Sequence, residues 1–441
     1  MTAPGSPPRS RRAVLGAAAG VVAGHAAPVA SAEPPSAAAE LTVATRNLGL
    51  GVDLDALLTV ESESDLRRVA GELLETARAH PYDARVGAIA DEVAATDPDV
   101  VALQEAAVVR TRAPGDDGET PEPAETVVDL LDRLSAALDE RDLDYRVAGS
   151  TVTTDAELPA DGEDGRVDVR VRDRDAVLVR GDHETGPVRT GRYDTGVTVG
   201  LPGTDRRVTL ARGYCLVDVS LDAGTVTVAS THLESTAIPV RLGQALELRD
   251  ALPSDGPVAL GADLNSGPGT TTVAYDALTD RLADAYATLR PDADGYTCCQ
   301  AESMRNGESL LEERVDAVLY RAPLDPTAVE RVGEDPDDRV DATVGGESVE
   351  VWPSDHAGVV ATFELPPPEP TPSPTPTPTP TPSPTPAPAL TPTPTTAATQ
   401  DTETTAATQD TETTTSESGA GFGALATLAG VLGGLWWRSR E

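Results

Sequence analysis

Asp99-Val100-Val101-Ala102-Leu103-Gln104-Glu105 is an apolar run that stops at an amide and a carboxylate. A short run of this kind bounded by polar residues reads as a buried strand. The same form recurs. Val43-Ala44-Thr45-Arg46 runs into Asn47; Val226-Thr227-Val228-Ala229-Ser230-Thr231 reaches His232-Leu233; Val258-Ala259-Leu260-Gly261 reaches Asp263-Leu264-Asn265. Arg314-Val315-Asp316-Ala317-Val318-Leu319 is followed further on by Pro353-Ser354-Asp355-His356. Each taken singly has a plain explanation: a Glu after a strand is ordinarily solvated, and Asp-x-Asn before Gly is ordinarily an Asx turn. Their joint occurrence, always where an apolar strand stops, is what those explanations leave over.

Between these strands, helical periodicity is expected over Leu66 to Arg78, Arg85 to Ala95, Thr126 to Leu138 and Pro239 to Leu248. Further strands are expected at Asp175 to Arg180, Tyr214 to Ser220 and Gly358 to Phe363. Interleaved strands and helices, with several strand pairs joined directly, predict mixed sheets covered by helices over residues 41–365. Ala113 to Glu125 and Thr154 to Asp173 read as long acidic loops.

The 441 residues carry 73 Asp and Glu against 34 basic residues, a formal charge of -39, and every one of the 34 is Arg. Such a surface repels itself until salt screens it, which reads as a salt-adapted, haloarchaeal-type composition. A pI near 4.3 excludes a generic basic nucleic-acid coat. Three Cys exclude a disulfide framework, and 3% aromatics argue against binding by stacked bases.

Both ends differ from the middle. Residues 1–32, with Arg11-Arg12, an apolar small-residue run and Ala30-Ser31-Ala32, read as a twin-arginine-like export signal, with a Sec-type signal or an uncleaved anchor as alternatives. Residues 366–418 alternate Pro with Thr or Ser and then repeat TAATQDTET, an extended stalk. Residues 419–437 form an uncharged run of about one bilayer span, and 438–441 carry Arg438 and Arg440. The positive-inside rule then sets the main domain outside the cell membrane, anchored by this tail. Gly419-Ala420-Gly421-Phe422-Gly423 is similar to the start of a haloarchaeal surface-sorting tail, with Ala420 where Pro is expected. Expected partners are therefore the membrane and the export and sorting machinery, besides the substrate.

With Asn47, Gln104-Glu105, Thr231-His232-Leu233, Gly261-x-Asp263-x-Asn265 and Ser354-Asp355-His356 in this order, the chain resembles the endonuclease/exonuclease/phosphatase superfamily. That resemblance implies a four-layer αββα sandwich of two mixed β-sheets with the site at one edge, and metal-dependent hydrolysis of phosphoesters. It implies Glu105 as the main ligand of Mg²⁺ (or Mn²⁺ or Ca²⁺), with Asn47 and Asp355 completing or flanking the site. Asp263 and Asn265 would orient the attacking water and the phosphate. His356 would be a general base or phosphate contact oriented by Asp284; His232 would contact a phosphoryl oxygen or protonate the leaving group. Asp316 would brace the site, and Arg212 and Tyr214 would face the phosphate.

These types suit the chemistry, since a hard dication takes oxygen ligands and neutral His transfers protons near neutral pH. The expected substrate is a phosphodiester, DNA or RNA first. A lipid or small-molecule phosphoester and a non-catalytic surface module are the alternatives. Cys298-Cys299 reads either as a vicinal disulfide or as two separate thiols, and Cys215 as a core residue.

Overall fold

The computed structural model of the chain describes residues 38–367 apart from 53, 115–124 and 202–206. The expected export segment, the stalk beyond residue 367 and the C-terminal run lie outside the described residues. Among the described residues, no helix is long and apolar enough to cross a membrane.

In chain order the elements are β1 (Ala39–Asn47), a 3-10 turn (Leu54–Thr59), α1 (Glu63–Ala79), α2 (Tyr82–Thr96), β2 (Val100–Gln104), β3 (Val108–Arg112), β4 (Glu125–Asp129), α3 (Leu130–Asp139), β5 (Tyr145–Gly162), β6 (Gly165–Arg180) and β7 (Thr185–Arg192). Then come β8 (Val197–Gly200), β9 (Arg207–Leu210), β10 (Gly213–Leu221), β11 (Gly224–His232), α4 (Ile238–Ala251), β12 (Val258–Asp263), α5 (Val273–Thr279), β13 (Ala283–Asp284) and α6 (Ala285–Leu289). The chain closes with β14 (Asp316–Arg321), β15 (Asp325–Val332), the hairpin β16 (Val340–Val344) and β17 (Glu347–Val351), and β18 (Gly358–Leu365).

Alternation along the strands sorts side chains into layers. Leu41, Val43, Val100, Val226, Val228 and Ala259 point between two sheets. Val101 and Leu103 point the other way, onto Leu74, Ile89 and Leu134 of α1, α2 and α3. Ala229, Leu260 and Ala262 point onto Ala245, Leu248 and Leu278 of α4 and α5. The result is the expected four-layer αββα sandwich, with an eight-stranded sheet ordered β15-β18-β1-β2-β6-β3-β4, β5 branching from β6, against a six-stranded sheet ordered β13-β14-β12-β11-β10-β7.

Register brings the strand ends together. β1 runs parallel to β2, so Asn47 lies beside Gln104. In the other sheet β11 runs parallel to β12, which sets His232 beside Asp263, and β14 runs antiparallel to β12, which sets Asp316 on its other side.

Two sequence expectations are corrected. Thr154 to Asp173 is not a loop: it forms the arms of the long antiparallel β5–β6 hairpin. The alternation of Val167, Val169 and Val171 with Asp168, Arg170 and Arg172 is a strand signal that acidic composition hides. The helix expected from Thr126 begins only at Leu130, because Glu125–Asp129 pairs with β3 and Asp129 then caps α3 through the Asp132 amide.

The two sheets approach closely at Gly261, where a Cβ would lie 2.6 Å from Ala102 Cβ and 3.0 Å from Thr45 Cβ. Beside it, Gln104 Nε2 donates across the interface to Ser230 Oγ at 3.1 Å, and Ser230 Oγ donates back to the Leu103 carbonyl at 2.8 Å. Replacing Gly261 by Val should force the sheets apart and cost about 1–3 kcal/mol of stability, to be read as a lowered Tm in multi-molar salt.

Candidate active site

Glu105 leaves β2 with φ +50°, a left-handed conformation that a non-glycine residue holds only under constraint. That turn brings its carboxylate under the end of β1. There Oε1 accepts from Asn47 Nδ2 at 3.3 Å and Oε2 from the Leu50 amide at 3.0 Å. The same Asn47 nitrogen donates to Asp263 Oδ2 at 3.0 Å, and Asn47 Oδ1 takes the Gly49 amide at 2.9 Å. Asn47 was expected among the metal ligands. In the structure its amide nitrogen, not its oxygen, faces the carboxylates, and it ties one sheet's acid to the other's.

Asp355 stands beside Glu105. Gly49, with φ +61°, passes so near that a Cβ there would fall on the Asp355 carboxylate, so only glycine fits. Burial first, then the charges of Asp355 and Asp173, push the Glu105 pKa up to about 7. Carboxylates crowded in this way form a donor set suited to a hard dication. On the far side of Asn47, donor atoms of Asp263, Asp316 and His356 lie within 4.8 Å of one another.

His356 Nδ1 meets Asp316 Oδ2 at 2.8 Å and Asp263 Oδ2 at 3.8 Å. Burial opposes a charge on this ring, but Asp316 and Asp263 together outweigh it and hold the His356 pKa well above the ordinary value. Burial, then the charge of Asp316, raises the Asp263 pKa to about 6. Its Oδ1 accepts from the Asn265 amide at 2.9 Å, the Asx turn expected from the sequence.

The carboxylate behind His356 is therefore Asp316, which corrects the expectation that Asp284 orients this ring. Asp284 pairs with Leu319, three residues along β14 from Asp316. Its oxygens take the Tyr275 hydroxyl and the Tyr286 amide, both at 2.8 Å, and its Oδ2 lies 3.2 Å from Arg314. It caps α6 and neutralises a buried arginine. Both acids are flanked by apolar residues, Leu282-Ala283-Asp284-Ala285 and Val315-Asp316-Ala317-Val318, so the sequence alone could not rank them.

His232 presents its Nδ1 to an Arg212 guanidinium N–H at 2.8 Å, which makes Nδ1 an acceptor and leaves the ring proton on Nε2. Nε2–H faces Asp263 Oδ2 at 3.5 Å, while the nearby Asn265 Nδ2 donates to the Leu233 carbonyl at 2.9 Å. Burial, then Arg212 and His356, hold the His232 pKa well below its ordinary value. The ring is thus a neutral N–H donor, not a proton-releasing acid. Arg212 also reaches Asp173 at 3.4 Å. Tyr214 is turned away, its ring 5.8 Å from that of Tyr193 in the outer core; the expectation that it faces the phosphate is corrected, since strand alternation sends it to the opposite face from Gly213's neighbour His232.

Four contributors escaped the sequence reading. Arg46 donates to the His356 carbonyl and to Glu92 at 3.0 Å. Arg85 donates to the carbonyls of Pro353 at 3.0 Å and Gly49 at 2.8 Å, clamping the loops that carry Asp355 and Asn47. Asp173 anchors Arg212, and Glu234 lines the same cavity. Buried arginines look like surface charge in a sequence, and only their carbonyl partners reveal the clamp. Cys298 and Cys299 are disulfide-bonded to each other, with Cys299 Sγ 3.9 Å from His356 Nε2, and Cys215 is a buried free thiol.

Residues 69–356 match the Endonuclease/Exonuclease/phosphatase family. The chain belongs to this family. Its members hydrolyse phosphoester bonds, and the family match spans every strand end described above except the β1 terminus at Asn47. Among solved structures, the chain is similar to truncated TDP2 from Caenorhabditis elegans, with 19% identity, a TM-score of 0.41 and coverage of 74% of this chain and 98% of that one. It is similar to a mannosyl-6-phosphatase from Bacteroides thetaiotaomicron, with 17% identity, a TM-score of 0.43 and coverage of 73% and 99%. A family protein from Leptotrichia buccalis shows 13% identity, a TM-score of 0.46 and coverage of 74% and 100%. No curated protein matches the sequence.

The Asp316 assignment has a direct check. Asp316→Asn should lower kcat by about 10²-fold or more, the scale of a lost acid–base partner, whereas Asp284→Asn should lower Tm and leave kcat near the parent value. A second check concerns Asp175, which is fully buried on β6. Burial first, then Asp173, raise its pKa well above the ordinary value, against the pull of Arg212, while Asp263 adds further repulsion. The folded chain thus keeps a proton that the unfolded chain gives up, so this group's contribution to stability falls as pH rises above its unfolded pKa of about 4. Asp175→Asn should flatten that slope, raising Tm at neutral pH more than at pH near 4.

Proposed function

We propose that the chain is a phosphodiesterase working with a divalent cation, Mg²⁺ first and Mn²⁺ or Ca²⁺ by the same oxygen chemistry, on the outer face of the cell membrane. The observation that carries this reading is the Asn47 amide, which holds Glu105 on one side and Asp263 on the other. Cation-binding carboxylates and the His356–Asp316 pair thereby face one point from two sheets.

Glu105 and Asp355 would hold the cation, with Asn47 fixing the Glu105 carboxylate. When bound, such an ion neutralises charge on the phosphoryl oxygens and stabilises the leaving oxygen. His232 Nε2–H and the His356 ring donate hydrogen bonds to the phosphoryl oxygens, a preorganised arrangement that gains strength in a buried site. Asp263 orients the attacking water and takes its proton. The water oxygen bonds to phosphorus, the ester P–O bond breaks, and the leaving oxygen is protonated from solvent.

Nucleic acid is the substrate to which the motif set leads, and in molar salt the acidic surface does not forbid it. A lipid or small-molecule phosphoester is the second reading, and the aliphatic walls beside the carboxylates favour it. Placement outside the cell rests on residues 1–32 and the C-terminal stalk and apolar run.

The full chain in multi-molar salt, with Mg²⁺ or with EDTA, should be offered plasmid, RNA, phospholipid and a methyl nitrophenyl phosphodiester. Hydrolysis of at least one should require the cation. Glu105→Gln should raise the Mg²⁺ concentration needed for half-maximal rate and lower kcat by about 10²-fold or more. Turnover undiminished by EDTA and by Glu105→Gln would overturn this reading.

A further inference from the structure

Glu105, Asp355 and Arg212 line a cavity of about 350 Å³, within the size range of small-molecule sites. Much of its wall is aliphatic, with Thr154, Ser235, Thr236 and Glu302 among the polar residues that also line it. Leu57 follows from the 3-10 turn, Leu66 from α1, Leu158 and Val171 from the β5–β6 hairpin, and Val208 and Leu210 from β9. Leu54 stands at the cavity as well and is 41% exposed, so the apolar surface continues to solvent.

The composition of this wall selects a ligand class. Among the described residues lining it, none is aromatic and Arg212 is the one cation. A base would find no ring to stack on, and a run of phosphates would meet Glu105, Asp173, Glu234 and Asp355 with a single guanidinium to answer them. A sugar would set several of its hydroxyls against the Leu and Val side chains of the apolar part of the wall, which is costly. A chain of methylenes gains from the same wall, at up to about 0.8 kcal/mol for each CH₂ taken out of water.

Resting on the phosphodiesterase reading above, we infer that the substrate is a phosphoester carrying a single aliphatic chain, with the chain in this cavity and the phosphate at Glu105, Asp355 and Arg212. Hydrolysis puts the water oxygen on phosphorus and breaks the P–O bond to the other substituent or to the chain, the released oxygen taking a proton from solvent. The carboxylates and the aliphatic side chains line the same cavity, so chain and phosphate are held as one continuous ligand. This explains why the β8–β9 hairpin, which belongs to neither large sheet, is built from Val197, Val199, Val208 and Leu210 on strands otherwise exposed.

The test uses the full chain in multi-molar salt with Mg²⁺ and a series of methyl, butyl and octyl 4-nitrophenyl phosphodiesters, each below its self-association concentration. kcat/KM should rise along the series, by at most about fourfold for each methylene and by tenfold or more between methyl and octyl. Leu210→Glu should reduce the octyl-to-methyl ratio several-fold. Because the ratio is taken within one preparation, a variant that merely folds poorly lowers both rates and leaves the ratio alone. Lysophosphatidylglycerol held in vesicles and turned over alongside the monomeric octyl ester would give the chain a membrane source, and turnover of the monomer alone a soluble one; either supports the inference. Metal-dependent turnover of the methyl ester with a flat series, or a preference for plasmid, would overturn the inference and leave the phosphodiesterase reading standing. Absence of hydrolysis with every ester and plasmid would overturn both.

Discussion

The site depends on how closely two sheets can approach. Their inner faces meet where Gly261 of one sheet lies against Ala102 and Thr45 of the other, with no Cβ to hold them apart. That contact lets β1 and β2 deliver Asn47 and Glu105 to the same place where β11, β12 and β14 deliver His232, Asp263 and Asp316. A single amide, Asn47 Nδ2, then bonds across the gap to both acids. Interiors are close-packed and transmit small displacements, so these distances are a property of the whole sandwich and not of any one loop.

Crowding carboxylates in a buried corner is unfavourable unless opposite charge is near. The chain answers with arginines whose stems are buried and whose N–H groups are spent on carbonyls and carboxylates. Arg85 remains a cation although burial lowers its pKa to about 10, and it holds two site loops by their carbonyls. Arg46 holds the carbonyl of His356 itself. A chain whose basic residues are all Arg is well placed to build such clamps, because the guanidinium offers five donors in a fixed plane and keeps its charge.

The surroundings of the site differ in character from the site. The cluster of carboxylates and histidines is polar and held by two sheets; the cavity beside it is largely aliphatic and draws on a 3-10 turn, a long hairpin arm and a small separate hairpin. In a sandwich of this kind the sheets supply the reaction centre, while loops and added hairpins decide what is brought to it.

By itself the sequence determined the layered class and most of the reaction centre. Apolar runs that end in Asn47, Glu105, His232 and Asp263 are legible because a buried strand reads as a short continuous apolar run that its polar terminus breaks, and Ser354-Asp355-His356 is legible as a polar motif alongside them. Tertiary structure alone decided which carboxylate serves which partner. Asp284 and Asp316 sit in similar local sequence, and pairing between β13 and β14 is what leaves Asp284 with Arg314 and Tyr275 and puts Asp316 behind His356. It likewise decided that Arg46 and Arg85 are interior clamps, that Tyr214 is packing, and that the stretch from Thr154 to Asp173 is a strand pair walling an aliphatic cavity. Each of these turns on contacts between residues far apart in the chain, which local periodicity and residue type do not encode.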